Sequence, residues 1–269
     1  MSARPYTFFP LALRYLRYYL GAMNGSGHGI HSPFVYAFVR NVLMDRSSNK
    51  NFGRIEKMRQ QLQKDVRMIK LTDFGAGSAK QDTKEKSIGQ IARSAAKSPR
   101  LAQLLFRSVQ YFNASTIVEL GSSLGLTTAY LASANKNGIV YSLEGDPELA
   151  QAAAQNLAGL GLHNAHIIPG NFDNTLQPLL DKLSKADLVY IDGNHRLEPT
   201  LRYFEQALAV ANEQTVIILD DIHWSGEMEA AWKAIQAHPK VTTTIDLFFL
   251  GYVFMRPEFK ERQHFPIRF

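Results

Sequence analysis

The chain has 269 residues and no cysteine. That excludes disulfides, thiolate zinc sites and cysteine nucleophiles together, and nothing in it depends on an oxidising compartment. No apolar run approaches the roughly 20 residues that a membrane span needs. The aromatic, basic N-terminus, Met1 to Leu20, lacks the uninterrupted apolar stretch of a signal peptide. Arg14 and Arg17 break it, and no small-residue cleavage site follows. It reads as a short amphipathic helix, and the protein reads as cytoplasmic with no membrane partner. A glycine–lysine–serine/threonine run is also missing, which excludes a P-loop nucleotide hydrolase.

What is present is an ordinary globular composition, 45% hydrophobic and 20% charged, so disorder does not dominate. The formal net charge is +6, which favours anionic partners, nucleic acid included, or simply maintains solubility. Two textures follow one another. Residues 1 to about 110 are rich in basic and aromatic residues with helical periodicity. Pro33 to Met44 places Phe34, Val35, Phe38, Val39 and Val42 on one face, with Ser32 as N-cap and Pro33 at the first helical position. Ile55 to Ile69 reads as a polar helix, Lys80 to Lys86 as a mobile charged loop, and Leu101 to Phe112 as an amphipathic helix.

From Thr116 onward, apolar strands alternate with helices. The strands read Thr116–Leu120, Ile139–Leu143, Ala165–Pro169, Leu188–Ile191, Val216–Leu219, Val241–Asp246 and Phe248–Met255. Helices are expected near Leu126–Ser133, Pro147–Gly159, Thr175–Ser184, Glu198–Ala211 and Glu227–Ala237. Strand–helix alternation implies a mostly parallel sheet. Only about Asp246-Leu247 separates the last two strands, too little for a parallel crossover, so they form an antiparallel hairpin. The expected fold is α/β: a Rossmann-like doubly wound sheet of seven strands, six parallel and the last antiparallel, with a helical N-terminal extension. The expected division is 1–110, the extension or lid, and 111–269, the domain that holds the cofactor.

The first strand runs into Gly121-Ser122-Ser123-Leu124-Gly125 and then a helix. Gly121 lets the chain turn tightly against a ligand, and the helix start offers free N–H donors. Dinucleotide enzymes use G-x-G-x-x-G; here the pattern is E-x-G-x-x-x-G, with Glu119 before the first glycine. A carboxylate there suits a ligand with a cationic amino group rather than a pyrophosphate. The second strand ends Leu143-Glu144-Gly145-Asp146. Glu144 at the strand end can accept from ribose hydroxyls, while Asp146 before Pro147 reads as a helix N-cap. A second glycine stretch, Asp73-Phe74-Gly75-Ala76-Gly77-Ser78, leads into charged residues instead of an apolar helix, so it reads as a loop or part of a lid.

Residues 114 to 256 resemble class I S-adenosylmethionine-dependent methyltransferases, and within them the catechol O-methyltransferase-like O-methyltransferases. The resemblance rests on Val118-Glu-Leu-Gly-Ser-Ser-Leu-Gly-Leu-Thr-Thr128, Ser142-Leu-Glu-Gly-Asp146, Val189-Tyr-Ile-Asp-Gly-Asn-His195 and Ile218-Leu-Asp-Asp-Ile-His-Trp224. It implies that the Glu119–Gly125 loop (Glu119, Gly121, Ser122, Ser123, Gly125) holds the methionine part of S-adenosylmethionine. Glu144 with Gly145 would then hold the ribose, and Asn171-Phe172 would stand beside the adenine.

Methyl transfer to a hydroxyl needs an aligned acceptor and a place for its proton. Asp192 ends the fourth strand, and Asp220-Asp221 end the fifth. If those strands are neighbours, Asp192, Asp220 and Asp221 converge on an oxygen-rich site suited to Mg²⁺ or another divalent cation. The alternative is that Asp192 caps a turn or contacts the cofactor and the Asp pair starts a loop. Related O-methyltransferases usually carry an asparagine where Asp221 stands, which puts metal use in question. His195 and His223 flank the same place. His195, next to Asp192, is the better candidate for a catalytic base. Trp224 and Tyr252 are candidates for the acceptor pocket, or for core. His28-Gly-Ile-His31 falls outside the pattern and reads as lid or packing.

The expected activity is metal-assisted O-methylation of a small hydroxylated acceptor. One alternative is an RNA methyltransferase, using the arginines and aromatics of Tyr6–Tyr19 on single strands. Another is a non-catalytic protein that keeps the cofactor fold. The same N-terminal stretch suits a dimer interface or a lid, so a homodimer is admitted, and nucleic acid ranks below the small molecule as partner.

Overall fold

A computed structural model describes residues 4–25, 27, 30–72 and 83–269. The Asp73–Ser78 glycine stretch, and His28 of the histidine pair, lie outside the described residues. The chain divides into two compact units, residues 47–184 on one side and residues 1–46 with 185–269 on the other.

Residues 47–184 begin with α3 (Lys50–Gln63), which follows α1 (Phe8–Gly21) and α2 (Pro33–Phe38) of the other unit. Asn49 caps α3 by accepting from the Asn51 N–H, and Phe52, Ile55, Met58 and Leu62 are buried at helical spacing. The helix stops earlier than the polar pattern implied. Asp65 accepts from the Arg67 backbone and guanidinium, and the chain leaves as β1 (Met68–Thr72), paired antiparallel with β2 (Thr83–Ser87). The run to Ile69 is therefore not all helix, and residues 83–86 are strand rather than loop. A two-stranded ribbon is held by cross-strand backbone bonds and pairs such as Lys70–Glu85 (3.9 Å), so a charged strand needs no apolar face there. Next come α4 (Ile88–Ser94), opened by a Ser87–Gln90 capping box, and α5 (Pro99–Tyr111), capped by Ser98. The rest of this unit is β3 (Thr116–Leu120), α6 (Leu126–Ala134), β4 (Ile139–Glu144), α7 (Pro147–Leu160), β5 (Ala165–Pro169) and α8 (Phe172–Leu180). Strands β3, β4 and β5 are parallel neighbours.

The other unit holds β6 (Leu188–Ile191), α9 (Leu197–Ala209), β7 (Val216–Asp220), α10 (Gly226–Ala237), β8 (Thr243–Asp246), β9 (Leu250–Phe254) and β10 (Gln263–Pro266). It also holds α1 and α2; α2 starts as expected, with the Val35 N–H bonded to the Ser32 hydroxyl, but passes into a π-helical turn at Val39–Leu43. Strands β6 and β7 are parallel, and β9 runs antiparallel between β7 and β8. The expected terminal hairpin is thus present. Its turn is fixed by Asp246, whose carboxylate accepts from the Phe248 N–H at 2.8 Å.

In residues 47–184 the strand order is β3-β4-β5, and in the other unit it is β10-β8-β9-β7-β6, eight strands in all. The α/β architecture is as expected, with one strand more than seven: β10 lies parallel to β8. Gln-His-Phe-Pro carries almost no strand signal, and its proline is tolerated because the strand is an edge.

Candidate functional site

The glycine turn after β3 has left-handed backbone at Gly121 (φ 101°), Ser123 (φ 48°) and Gly125 (φ 78°). Gly125 is fixed by packing as well as conformation. A Cβ placed there would stand 3.2 Å from Ala153 Cα, on α7. The turn is bound to the end of β4. Gly121 N–H donates to the Leu143 carbonyl at 2.9 Å, and Ser123 N–H donates to the Glu144 carboxylate at 2.7 Å. Asn156 of α7 closes it from the other side by donating to the Leu124 carbonyl at 2.9 Å.

Glu119 is fully buried. Its Oε2 accepts from the Thr128 hydroxyl at 2.5 Å and the Ser142 hydroxyl at 2.6 Å. Ser142 is its register partner on β4. These two hydroxyls were not singled out from the sequence. The signal available was register: once β3 and β4 align, position 142 must lie beside position 119.

Glu144 is also buried, and its second oxygen accepts from the Asp146 N–H at 3.1 Å. Burial raises its pKa above the ordinary carboxylate value, against the opposing pull of backbone N–H donors from Asp146 and Ser123. Asp146 caps α7 as expected, accepting from Glu148 and Leu149 N–H groups at 2.9 and 3.0 Å. Gly145 sits between the two acids, a step after the strand end. Asn171 caps α8 through the Asp173 N–H at 3.0 Å, and Phe172 is the first helical residue. The turn, Glu144 and Asn171 all stand at the C-terminal ends of β3, β4 and β5, where ligands collect in parallel sheets.

In the other unit, β6 and β7 pair in register with Ile191 opposite Leu219. The next residue along each strand is Asp192 and Asp220, so the two carboxylates stand side by side. His195 joins them: ligand atoms of Asp192, His195 and Asp220 all lie within 4.8 Å of one another. His195 Nε2 is 3.6 Å from Asp192 Oδ1, and the Tyr190 hydroxyl donates to Asp192 Oδ2 at 3.0 Å. Tyr190, two residues before Asp192 on a strand, shares its side of the chain; sequence reading passed over it. The loop that delivers His195 is strained, with left-handed backbone at Asn194 (φ 66°) and His195 (φ 28°), as is common where a site dictates side-chain placement.

Among the described residues this is the one such group, and Asp221 is outside it. Successive residues of an extended chain project to opposite sides, so Asp220 and Asp221 cannot both reach the same place from regular strand. Asp221 instead turns the chain, with φ 74°, its N–H on the Phe249 carbonyl and its own carbonyl taking the Trp224 N–H. His223 is likewise engaged elsewhere. Its Nε2 is 2.8 Å from Asp246 Oδ2, and its ring stacks on Phe248 at 5.0 Å. Tyr252 is fully buried against Phe38 and Phe254, a core residue.

The donor set fits a divalent cation: two carboxylates and an imidazole, one of the acids fully buried. The turn with its two buried acids suits a ligand that bears an amino group and hydroxyls.

Residues 118–222 match the family described as a methyltransferase domain. The match covers less than half of the chain and marks a resemblance to methyltransferases over those residues. Over 134 residues the chain is 31% identical to a catechol O-methyltransferase of Niastella koreensis, covering 49% of this chain and 60% of that protein. It is 25% identical over 136 residues to an O-methyltransferase of Aspergillus flavus, 48% of this chain and 54% of that protein. The chain thus spans between half and two thirds of these relatives' length. A solved O-methyltransferase of Bacillus cereus, in complex with SAH, aligns with TM-score 0.56 and 20% identity over 82% of this chain and 97% of that one; it shares the fold.

Proposed function

We propose that this methyltransferase acts on oxygen: it moves the sulfonium methyl of S-adenosylmethionine to a hydroxyl of a small acceptor, at a site that takes a divalent cation. The observation that carries this reading is the meeting of Asp192, His195 and Asp220 at adjoining strand ends. The names of the Niastella and Aspergillus relatives support oxygen as the acceptor atom.

In the reaction the acceptor oxygen bonds to the methyl carbon and the carbon–sulfur bond breaks. Its electron pair stays on sulfur, which becomes a neutral thioether, and the hydroxyl proton passes to solvent water. The turn residues Gly121, Ser122, Ser123 and Gly125 take the methionine end of the donor, over the buried carboxyl group of Glu119. Glu144, with Gly145, takes the ribose. Its two oxygens each accept one backbone bond, and a carboxylate has about four acceptor positions, so capacity remains for hydroxyls. Asn171 and Phe172 stand beside the adenine.

A divalent cation, when bound, draws down the pKa of an acceptor hydroxyl. Asp192 and Asp220 supply its anionic oxygens and His195 a ring nitrogen. Carboxylates alone suit Mg²⁺; an imidazole in the set moves the preference toward Mn²⁺ or another first-row ion. Tyr190 holds Asp192 in place. Asp221 does not enter this set. A second reading keeps His195 as a metal-free base oriented by Asp192, on the strength of their 3.6 Å approach. A chain without cysteine needs no oxidising compartment, and we place it in the cytoplasm.

The test measures methyl transfer from labelled S-adenosylmethionine to a panel of small hydroxylated acceptors, with and without chelator, together with Mn²⁺ binding by paramagnetic resonance. The expected result is transfer that stops in chelator and returns with Mn²⁺ or Mg²⁺, and an Asp220→Ala protein that binds neither ion. Transfer that persists in chelator, and dies only with His195→Ala, would establish the base reading. A protein that does not bind S-adenosylmethionine in calorimetry would end both.

A further inference from the structure

We propose that α1 is an interfacial helix that seats this protein on an anionic lipid surface. The helix has two apolar faces. The inner one is taken: Tyr15 lies edge-on to Phe248 at 5.0 Å, and the Tyr18 hydroxyl donates to the Asp246 and Ile267 carbonyls. Arg14 is ion-paired to Glu229 at 3.1 Å, and Tyr6 donates to the same carboxylate. The outer face is bare. Phe8 and Phe9 are 78% and 81% exposed, Leu13 and Leu16 about half exposed at 50% and 52%, and Leu20 71% exposed.

At 100° per residue these five side chains, with Ala12 and Tyr19, fill one continuous arc of roughly 140° that contains no charged residue. Phe249, 41% exposed and stacked on Tyr15, extends it. The arc amounts to on the order of 500 Å² of apolar surface, more than an ordinary monomer leaves in water.

Charge selects the occupant. No acidic residue precedes Asp45, while Arg4, Arg14, Arg17 and Arg40 all do. Arg17 is exposed at the edge of the arc. An apolar, aromatic face edged by Arg17, with no acid on the helix itself, matches a headgroup layer of negative charge. A second copy of the chain matches it less well, because pairing two such helices sets arginine beside arginine with no acid on either to answer. Tyr15 and Tyr18, two of the aromatics that could stack single-stranded nucleic acid, are spent on the inner face. This is attachment to a surface and not a span, since no described helix is long and apolar enough to cross a membrane.

Co-sedimentation of the full chain with vesicles tests it, using mixed phosphatidylcholine and phosphatidylglycerol against phosphatidylcholine alone. The wild-type chain is expected to partition onto the mixed vesicles and to come off as salt rises. Arg17→Gln should weaken that partition about fivefold. Leu16→Glu and Phe9→Glu, both on the exposed face and so harmless to the circular dichroism spectrum and melting temperature, should abolish it. Partition that is equal on neutral vesicles, or unchanged by Leu16→Glu, overturns the proposal. So does a chain that ignores vesicles but sediments as a dimer which Leu16→Glu dissociates, the result a second copy would give. The experiment needs no methyl acceptor, so it stands apart from the proposed activity.

Discussion

Replacing Gly125 with alanine should destabilise the protein through two separable effects, and a second glycine in the same unit isolates them. Gly125 has φ 78°, and a Cβ there would meet Ala153 Cα and Cβ at 3.2 Å and its carbonyl oxygen at 3.3 Å. Two of those three atoms are backbone and cannot rotate away. Gly161, at the end of α7, has nearly the same backbone, φ 71°, with nothing within 4 Å of its Cβ position. Left-handed backbone costs a non-glycine residue about 1–2 kcal/mol, so Gly161→Ala should lose about that much and no more. Gly125→Ala should lose the same plus about 1–2 kcal/mol of overpacking. For a chain of this size each kcal/mol moves the melting temperature by about 2–4 °C. Gly161→Ala therefore falls by roughly 2–8 °C and Gly125→Ala by roughly 4–16 °C. Urea unfolding of the three proteins, with slopes compared to confirm a common transition, supplies the free energies. Equal losses at the two positions would refute the argument that α7 packs against the start of α6 closely enough to demand glycine at 125.

Ser142→Ala and Thr128→Val each remove a hydroxyl that donates to the same oxygen of buried Glu119, so each should cost about 1–3 kcal/mol, and the double variant less than the sum, as a double-mutant cycle by chemical denaturation will show. At His223, burial pulls the pKa down, but the hydrogen bond and charge of Asp246, aided by Glu229, outweigh it and leave the pKa above the ordinary 6.5. The folded state thus holds this proton more tightly than the unfolded chain. The stabilisation is complete below about pH 6.5 and disappears as pH rises through the folded value, so melting temperature should fall across that range in the wild type and less steeply in His223→Gln. Tyr190→Phe should weaken divalent-ion affinity about ten- to hundredfold by releasing Asp192, with little change in S-adenosylmethionine affinity; unchanged Mn²⁺ binding would remove Tyr190 from that role.

The parts of the fold that could be read in advance are those where burial writes the pattern. Strands β3 and β6 are buried along nearly all of their length, and their limits in the structure are the residues that the apolar runs mark. The hairpin of β8 and β9 followed from chain length alone, since two residues cannot make a crossover. Strands that depend on pairing instead of burial left no such trace. Residues 83–87 are charged, and 263–266 are polar with a proline; each is strand because a partner's backbone lies beside it. Helix α3 was overrun for the complementary reason. Its stop is a local Asp65–Arg67 clasp, a few polar bonds that periodicity does not weigh.

The candidate site divides along the same line. Residue types at strand ends were enough to name Glu119, Glu144, Asp192 and Asp220, because chemistry confines those types to few roles there. Which of them meet is a question of register and alternation. Asp192 and Asp220 meet because each follows one half of the Ile191–Leu219 pair. Asp221 does not, because alternation sends it the other way, and the vacancy in the trio is filled by a histidine three residues along a strained loop. The asparagine that related enzymes carry where Asp221 stands had already put that residue's role in question. In the structure Asp221 begins a turn, and the third member of the cluster is His195, from the loop after β6.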